Sequence, residues 1–183
     1  MKLPFREIWA VDFEFAQEGG SPGGRPVPHT FVAIELNTGR VVRLHGDDLR
    51  AWKEWPFDAH RTDVVVVAYF ASADIGAAMA LGWSVPARLI DPYTEHSLLI
   101  NIEPKPEQPA GRSLLAACRT HGVDIDALYR TDATAYKFET RELALKGEPY
   151  TPEESAALLQ YCEADVRAVV ELVRHFPQPA CCE

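Results

Sequence analysis

Four carboxylates and a tyrosine carry the chemistry this chain could do: Asp12 and Glu14 in VDFEF, Asp74 in AYFASADIGAAMALGW, and Tyr161 and Asp165 in YCEADVRAVVEL. Acids of this kind are oxygen ligands for hard divalent cations, and two ions, Mg²⁺ or Mn²⁺, match such a ligand set. Between Ile8 and Phe15, strand alternation puts Trp9, Val11, Phe13 and Phe15 on one face and Ile8, Ala10, Asp12 and Glu14 on the other. Both acids then share a side, with Cα atoms about 6.5 Å apart. A buried strand with two acids on one face needs cations to compensate them, because unpaired buried charge is costly.

The last pair needs a helix. Thr151-Pro152-Glu153-Glu154 supplies an N-cap, a proline at the first helical position and a capping-box glutamate, predicting a helix from Thr151 to Phe176. Its apolar stripe is Leu159, Cys162, Val166, Val169, Val170 and Val173, with Leu158, Tyr161 and Asp165 on an adjoining face. Tyr161 and Asp165, four residues apart, can address one site. Asp74 falls in the first turn of a helix predicted from Ser72, an N-cap, to Gly82, where a carboxylate also favours any helix.

Between these points the sequence alternates. Strands are expected at His29 to Leu36 and Val41 to His45, joined by an Asn37-Thr38-Gly39 turn, at Asp63 to Phe70 and at Ala87 to Ile90. Helices are expected at Asp47 to Trp55, Ser113 to Thr120 and Ala127 to Lys146, the last with a break. Alternation of this kind implies α/β organisation. Gln17 to His29, rich in Gly and Pro, reads as a loop leaving the acid-bearing strand, with two readings open: a cover for the substrate entrance or a plain surface excursion. Glu103 to Gly111 reads as a connecting loop, so residues 1 to 183 form one domain.

Composition narrows the class. The 47% hydrophobic content belongs to a globular protein, and the longest apolar run, Val64 to Ala71, is far too short to span a membrane. Met1-Lys2-Leu3-Pro4 does not begin a secretory signal, and the expected location is cytoplasmic. Cys118, Cys162, Cys181 and Cys182 lack C-x-x-C spacing, and the six histidines form no ligand pair, so neither a disulfide framework nor a zinc site is expected. The net charge of −9 argues against strong nucleic-acid affinity, yet residues 105 to 146 hold seven Lys/Arg, including Lys137 and Arg141, against six acids. That segment is the expected backbone-contacting surface, with a solvated helical face the alternative reading for any single residue in it.

The ordered motifs VDFEF, VVVVAYFASADIGAAMALGW with VPARLIDPYTEH, and LLQYCEADVRAVVEL resemble the DEDDy branch of the DnaQ-like 3′–5′ exonucleases, most closely the proofreading domain of phage-type family A DNA polymerases. The resemblance extends over nearly the whole chain, and Tyr161, four residues before Asp165, selects the tyrosine branch. It implies a ribonuclease H-like fold, a mixed central sheet flanked by helices. It further implies two-metal-ion release of nucleoside monophosphates from 3′ ends of single-stranded DNA. In that scheme Asp12 bridges both ions, Glu14 and Asp165 complete the nucleophile-side site, Asp74 serves the second, and Tyr161 orients the attacking water. Many family members carry asparagine four residues before the second-motif aspartate, where this chain has Phe70, preceded by Tyr69. Base stacking on these aromatics is one substitute for the lost polar contact, burial at a strand end the other reading. Phe13 is a further candidate substrate contact, through its backbone amide, since its ring points away from the acids.

Two alternatives stay open from the residues alone: an RNA or oligoribonucleotide 3′–5′ exonuclease with the same chemistry, and a non-catalytic nucleic-acid-binding module. No palm or fingers region follows the third motif, so polymerase activity is not expected of this polypeptide, and a separate polymerase is one conceivable partner.

Overall fold

The structure, a computed structural model, describes residues 3–20, 24–102, 111–129 and 133–176. Its centre is strand β1 (Glu7–Gln17), which pairs antiparallel with β2 (Pro26–Glu35). β2 pairs antiparallel in turn with β3 (Val41–His45). On the other side β1 runs parallel to β4 (Val64–Val67), and β4 to the two-residue β5 (Leu89–Ile90), giving the five-stranded mixed order β3-β2-β1-β4-β5. The Val-Val-Val-Val run of β4 is buried throughout, as a parallel strand covered on both faces requires.

Alternation along β1 divides the molecule into two cores, as the residue pattern predicts. Trp9, Val11 and Phe13 face an aromatic-rich layer with Phe31, Trp55, Phe57 and Trp83. Within it, helix α1 (Gly46–Ala51) supplies Leu49 and α2 (Ala71–Ala80) supplies Ala77 and Ala78. Ile8 and Ala10 face the opposite layer, built on α4 (Leu114–Thr120) and α6 (Pro152–His175). Helix α3 (Pro92–Ile102) leads away from β5, and α5 (Ala133–Lys146) touches both β1 and α6. The α6 boundaries follow its local chemistry: the Thr151 hydroxyl accepts from Glu154 N, and the Glu154 carboxylate accepts from Thr151 N at 2.8 Å. The buried face of α6 is wider than the predicted stripe and takes in Leu158, Tyr161, Ala164, Ala168 and Leu172, while Leu159 is only partly buried.

Several expectations need correcting. The Gly/Pro-rich segment is not wholly a loop: β1 continues to Gln17, and Pro26 and Pro28 lie opposite Gln17 and Phe15. The prolines are tolerated because β2 extends past β3, whose last pair is Thr30 with His45, so no neighbouring strand needs their missing N–H groups. The entrance cover expected of this segment falls in part on residues 21–23, outside the described ones. Helix α2 starts one residue before Ser72, and the residue at its N-cap is Phe70, with no side-chain cap. Helix α3 was not expected at all, although Asp91-Pro92 is an N-cap followed by proline at the first helical position. Nearby, the strand expected over Ala87 to Ile90 shrinks to β5, and the α5 helix starts at Ala133 rather than Ala127.

Candidate metal centre

β1 is longer than its parallel neighbour. Its pairing with β4 ends at Ala10 opposite Val67, and the segment carrying Asp12 and Glu14 projects beyond that point. There Asp74, near the start of α2, replaces β4 as hydrogen-bond acceptor: its Oδ1 takes the Phe13 N–H at 3.0 Å. A register shift between Glu14 and Phe15 marks a bulge immediately after the second acid, a distortion common beside functional sites. From the opposite layer α6 brings Tyr161 and Asp165 to the same place.

One carboxylate oxygen from each of Asp12, Glu14 and Asp165 lies within 4.8 Å of the others. Asp74 stands outside this triad, but its carboxylate is buried and its charge acts on Asp12. Asp12 Oδ2 is buried without a hydrogen-bond partner, an arrangement that costs stability unless something else satisfies it. The cluster is electrostatically overloaded. Burial, then the charges of Asp74, Glu14 and Asp165, push the Asp12 carboxyl well above its ordinary range. Glu14 is driven up by burial and by Asp165 and Asp74, and Asp74 chiefly by burial. Burial lifts Asp165 to about 6, opposed by hydrogen bonds from Tyr129 and Tyr161 and by the charge of Lys137.

All the converging donors are hard oxygens, one of them orphaned, and their mutual repulsion would be relieved by added positive charge; the residues therefore fit a divalent cation of the Mg²⁺ or Mn²⁺ type. Asp12, Glu14 and Asp165 are the residues that would hold one.

The surrounding groups are themselves fixed. Tyr129, only 2% exposed, donates its hydroxyl to Asp165 Oδ1 and selects the orientation of that carboxylate. Tyr161 is buried with its ring 6.4 Å from that of Tyr129. Burial and then the Asp165, Glu14 and Asp12 charges raise its hydroxyl far above the normal phenol value, so it stays neutral and serves only as a hydrogen-bonding group. The buried Cys162 thiol donates to the Asp12 carbonyl at 3.3 Å, pinning α6 to β1 next to the acids.

These acids line an open cavity of about 320 Å³ together with Tyr69, Phe70 and Ala73 and with Lys137 and Arg141 of α5. A second groove of about 280 Å³ shares Glu14, Phe15 and Arg141 and continues past Gln17, Ala144 and Leu145. The five sequence-predicted chemical residues thus come together. Phe13 is a different case: its ring lies in the aromatic core, 4.6 Å from Phe31, and its amide, the expected nucleotide contact, is already donated to Asp74. Tyr69 is also tied up, its hydroxyl donating to the Arg112 carbonyl at 2.7 Å.

Phe70 is not. The residue is 50% exposed and lines the cavity, and its backbone is left-handed, with φ 63 and ψ 53. For a residue with a Cβ this conformation costs about 1–2 kcal/mol. Asp91 holds it there, accepting from Phe70 N at 2.9 Å, Ala71 N at 3.1 Å and Tyr93 N at 2.9 Å. Sequence reasoning missed Asp91 and Tyr129. The Asp-Pro dipeptide could have flagged Asp91 as a helix cap, though not its bonds back to Phe70 and Ala71; nothing local in ALYR marks Tyr129.

Neither the protein-family models nor the curated proteins contain a match to this chain.

Proposed function

We propose that this chain is a metal-dependent 3′–5′ exonuclease that hydrolyses the terminal phosphodiester of single-stranded DNA and releases nucleoside monophosphates, on a ribonuclease H-like fold of the DnaQ type. The observation that carries the reading is the convergence of Asp12, Glu14 and Asp165 oxygens within 4.8 Å, from a strand and a helix at opposite ends of the sequence. The β3-β2-β1-β4-β5 order, antiparallel on one side of β1 and parallel on the other, supports the fold assignment.

Bound divalent cations would supply an acidified water and neutralise charge on the leaving 3′ oxygen. The chain's own contributions are positional. Asp12, Glu14, Asp74 and Asp165 set where positive charge can sit. Tyr129 keeps one Asp165 oxygen engaged, and the neutral Tyr161 hydroxyl orients water without taking its proton. Lys137 and Arg141, which line the same cavity as Phe70, would bind phosphates of the incoming strand.

The test is a time course on a 5′-labelled single strand with Mn²⁺ or Mg²⁺. Wild type shortens DNA one nucleotide at a time, Asp12→Ala and Asp165→Ala abolish this, and Tyr161→Phe reduces it less. An RNA strand of the same sequence, run in parallel, decides the sugar: faster loss of RNA would replace DNA as substrate. Full activity of Asp12→Ala would remove the proposal.

A further inference from the structure

We propose that Phe70 is a stacking platform for the unpaired nucleobase at the 3′ end, and that Asp91 is the positioning residue that locks it in place. The inference rests on the nuclease reading and adds to it the group that grips the base. Three observations converge. A large aromatic ring stands half exposed in the lining of the acid-bearing cavity, which the cations Lys137 and Arg141 also line. Its backbone adopts a conformation that non-glycine residues avoid, and such strain persists only where the surroundings over-determine it, characteristically at ligand-binding positions. Both oxygens of Asp91 are engaged by backbone N–H groups on the two sides of that strain, from Phe70, Ala71 and Tyr93.

The ring is further braced edge-on by Tyr93, with centroids 5.0 Å apart and planes at 77°. This leaves a face of Phe70 free of Tyr93, and Tyr69, whose hydroxyl is bound to Arg112 O, forms wall rather than platform. A flat aromatic surface beside a phosphate-neutralising pair accepts any base, because every base has a π-face; the platform selects for an unpaired end and not for sequence.

The test is equilibrium binding of single strands in Ca²⁺, which fills oxygen-ligand sites. One strand ends in 2-aminopurine, whose fluorescence is quenched on stacking, and the other in an abasic nucleotide. Wild type is expected to quench the terminal 2-aminopurine. Phe70→Ala is expected to lose that quenching and bind the base-ended strand about tenfold more weakly, with no change for the abasic-ended strand; Phe70→Trp restores both signals. Phe70→Gly, which suits the left-handed backbone, keeps at least the wild-type melting temperature while losing the quench. Asp91→Asn, with one acceptor oxygen left, gives an intermediate loss confined to the base-ended strand. Equal loss on both strands in Phe70→Ala, or unchanged quenching, overturns the platform while hydrolysis by wild type would leave the nuclease reading standing. Failure of wild type to bind either strand overturns the platform, and the absence of hydrolysis is what removes the nuclease reading.

Discussion

Asp165 shows how one residue's surroundings become a property of the protein. Burial raises its carboxyl to about 6, and Asp12, Glu14 and Asp74 are raised with it. A group whose folded pKa exceeds its unfolded value binds more protons in the folded state, so its effect on stability is absent below the unfolded pKa and becomes a penalty as pH rises through the folded one. For Asp165 that window runs from its ordinary value of 3.8 to about 6, and the other three extend it upward. His29 and His45, lowered by burial, push the other way, their folded forms gaining stability as pH rises toward the normal histidine value of 6.5. The histidine contribution cancels when melting temperatures are compared at one pH with and without cation. The rise in melting temperature caused by Mn²⁺ over chelator is therefore expected to be larger near about pH 8 than near about pH 5, as differential scanning fluorimetry can read. An equal rise at both values would mean that the acids are not cation ligands. At this scale the sequence was readable where residue type and spacing bring groups together, as with Asp12, Glu14, Tyr161 and Asp165, which line one cavity. It was opaque where tertiary contact creates the role: Tyr129 becomes important only because its hydroxyl meets an acid thirty-six positions later.

Among the elements, α6 was the most legible because its start is written locally. Thr151 and Glu154 satisfy each other's backbone donors, and Pro152 has no donor to satisfy at the first position. Thr151→Ala removes half of this box and should lower stability by about 1 kcal/mol, measured by urea denaturation, while cleavage at permissive temperature stays near wild type because Tyr161 and Asp165 lie further along the helix. The start of α2 was misread for an instructive reason. Ser72 is a good capping residue, but Asp91, from the far side of β4, offers the N–H groups of Phe70 and Ala71 a stronger charged acceptor and begins the helix earlier. Likewise, Pro26 and Pro28 signal a loop by composition but sit in a strand because the sheet leaves their edge unpaired. Local propensity loses in both places to a contact distant in sequence.

At the scale of the whole molecule, the α/β organisation, the two faces of β1 and the acidic balance follow from patterns the sequence displays; the strand order β3-β2-β1-β4-β5 and the orientation of α5 do not. α5 mixes charged and apolar positions, with Phe138 and Leu145 exposed, and only its contacts with β1 and α6 turn Lys137 and Arg141 toward the acids. With a net charge of −9, binding to a polyanion must come from such local cations, so strand affinity should be modest and shallow in its salt dependence. Arg141→Ala is expected to weaken binding of all single strands alike and to reduce the slope of log K against log salt by about 0.7, the contribution of one phosphate contact on a single strand. Fluorescence anisotropy over a salt series checks this, and a sequence-dependent loss with an unchanged slope would assign Arg141 another task.

The most direct test of the central claim is the fate of a 5′-labelled single-stranded DNA incubated with the protein, Mn²⁺ present or chelated, beside Asp12→Ala. A ladder shortening one nucleotide at a time from the 3′ end, seen only with cation and only in wild type, is the result expected of a cation-dependent acid cluster formed by Asp12, Glu14, Asp74 and Asp165. An intact strand in every lane, or the same ladder from Asp12→Ala, would contradict it.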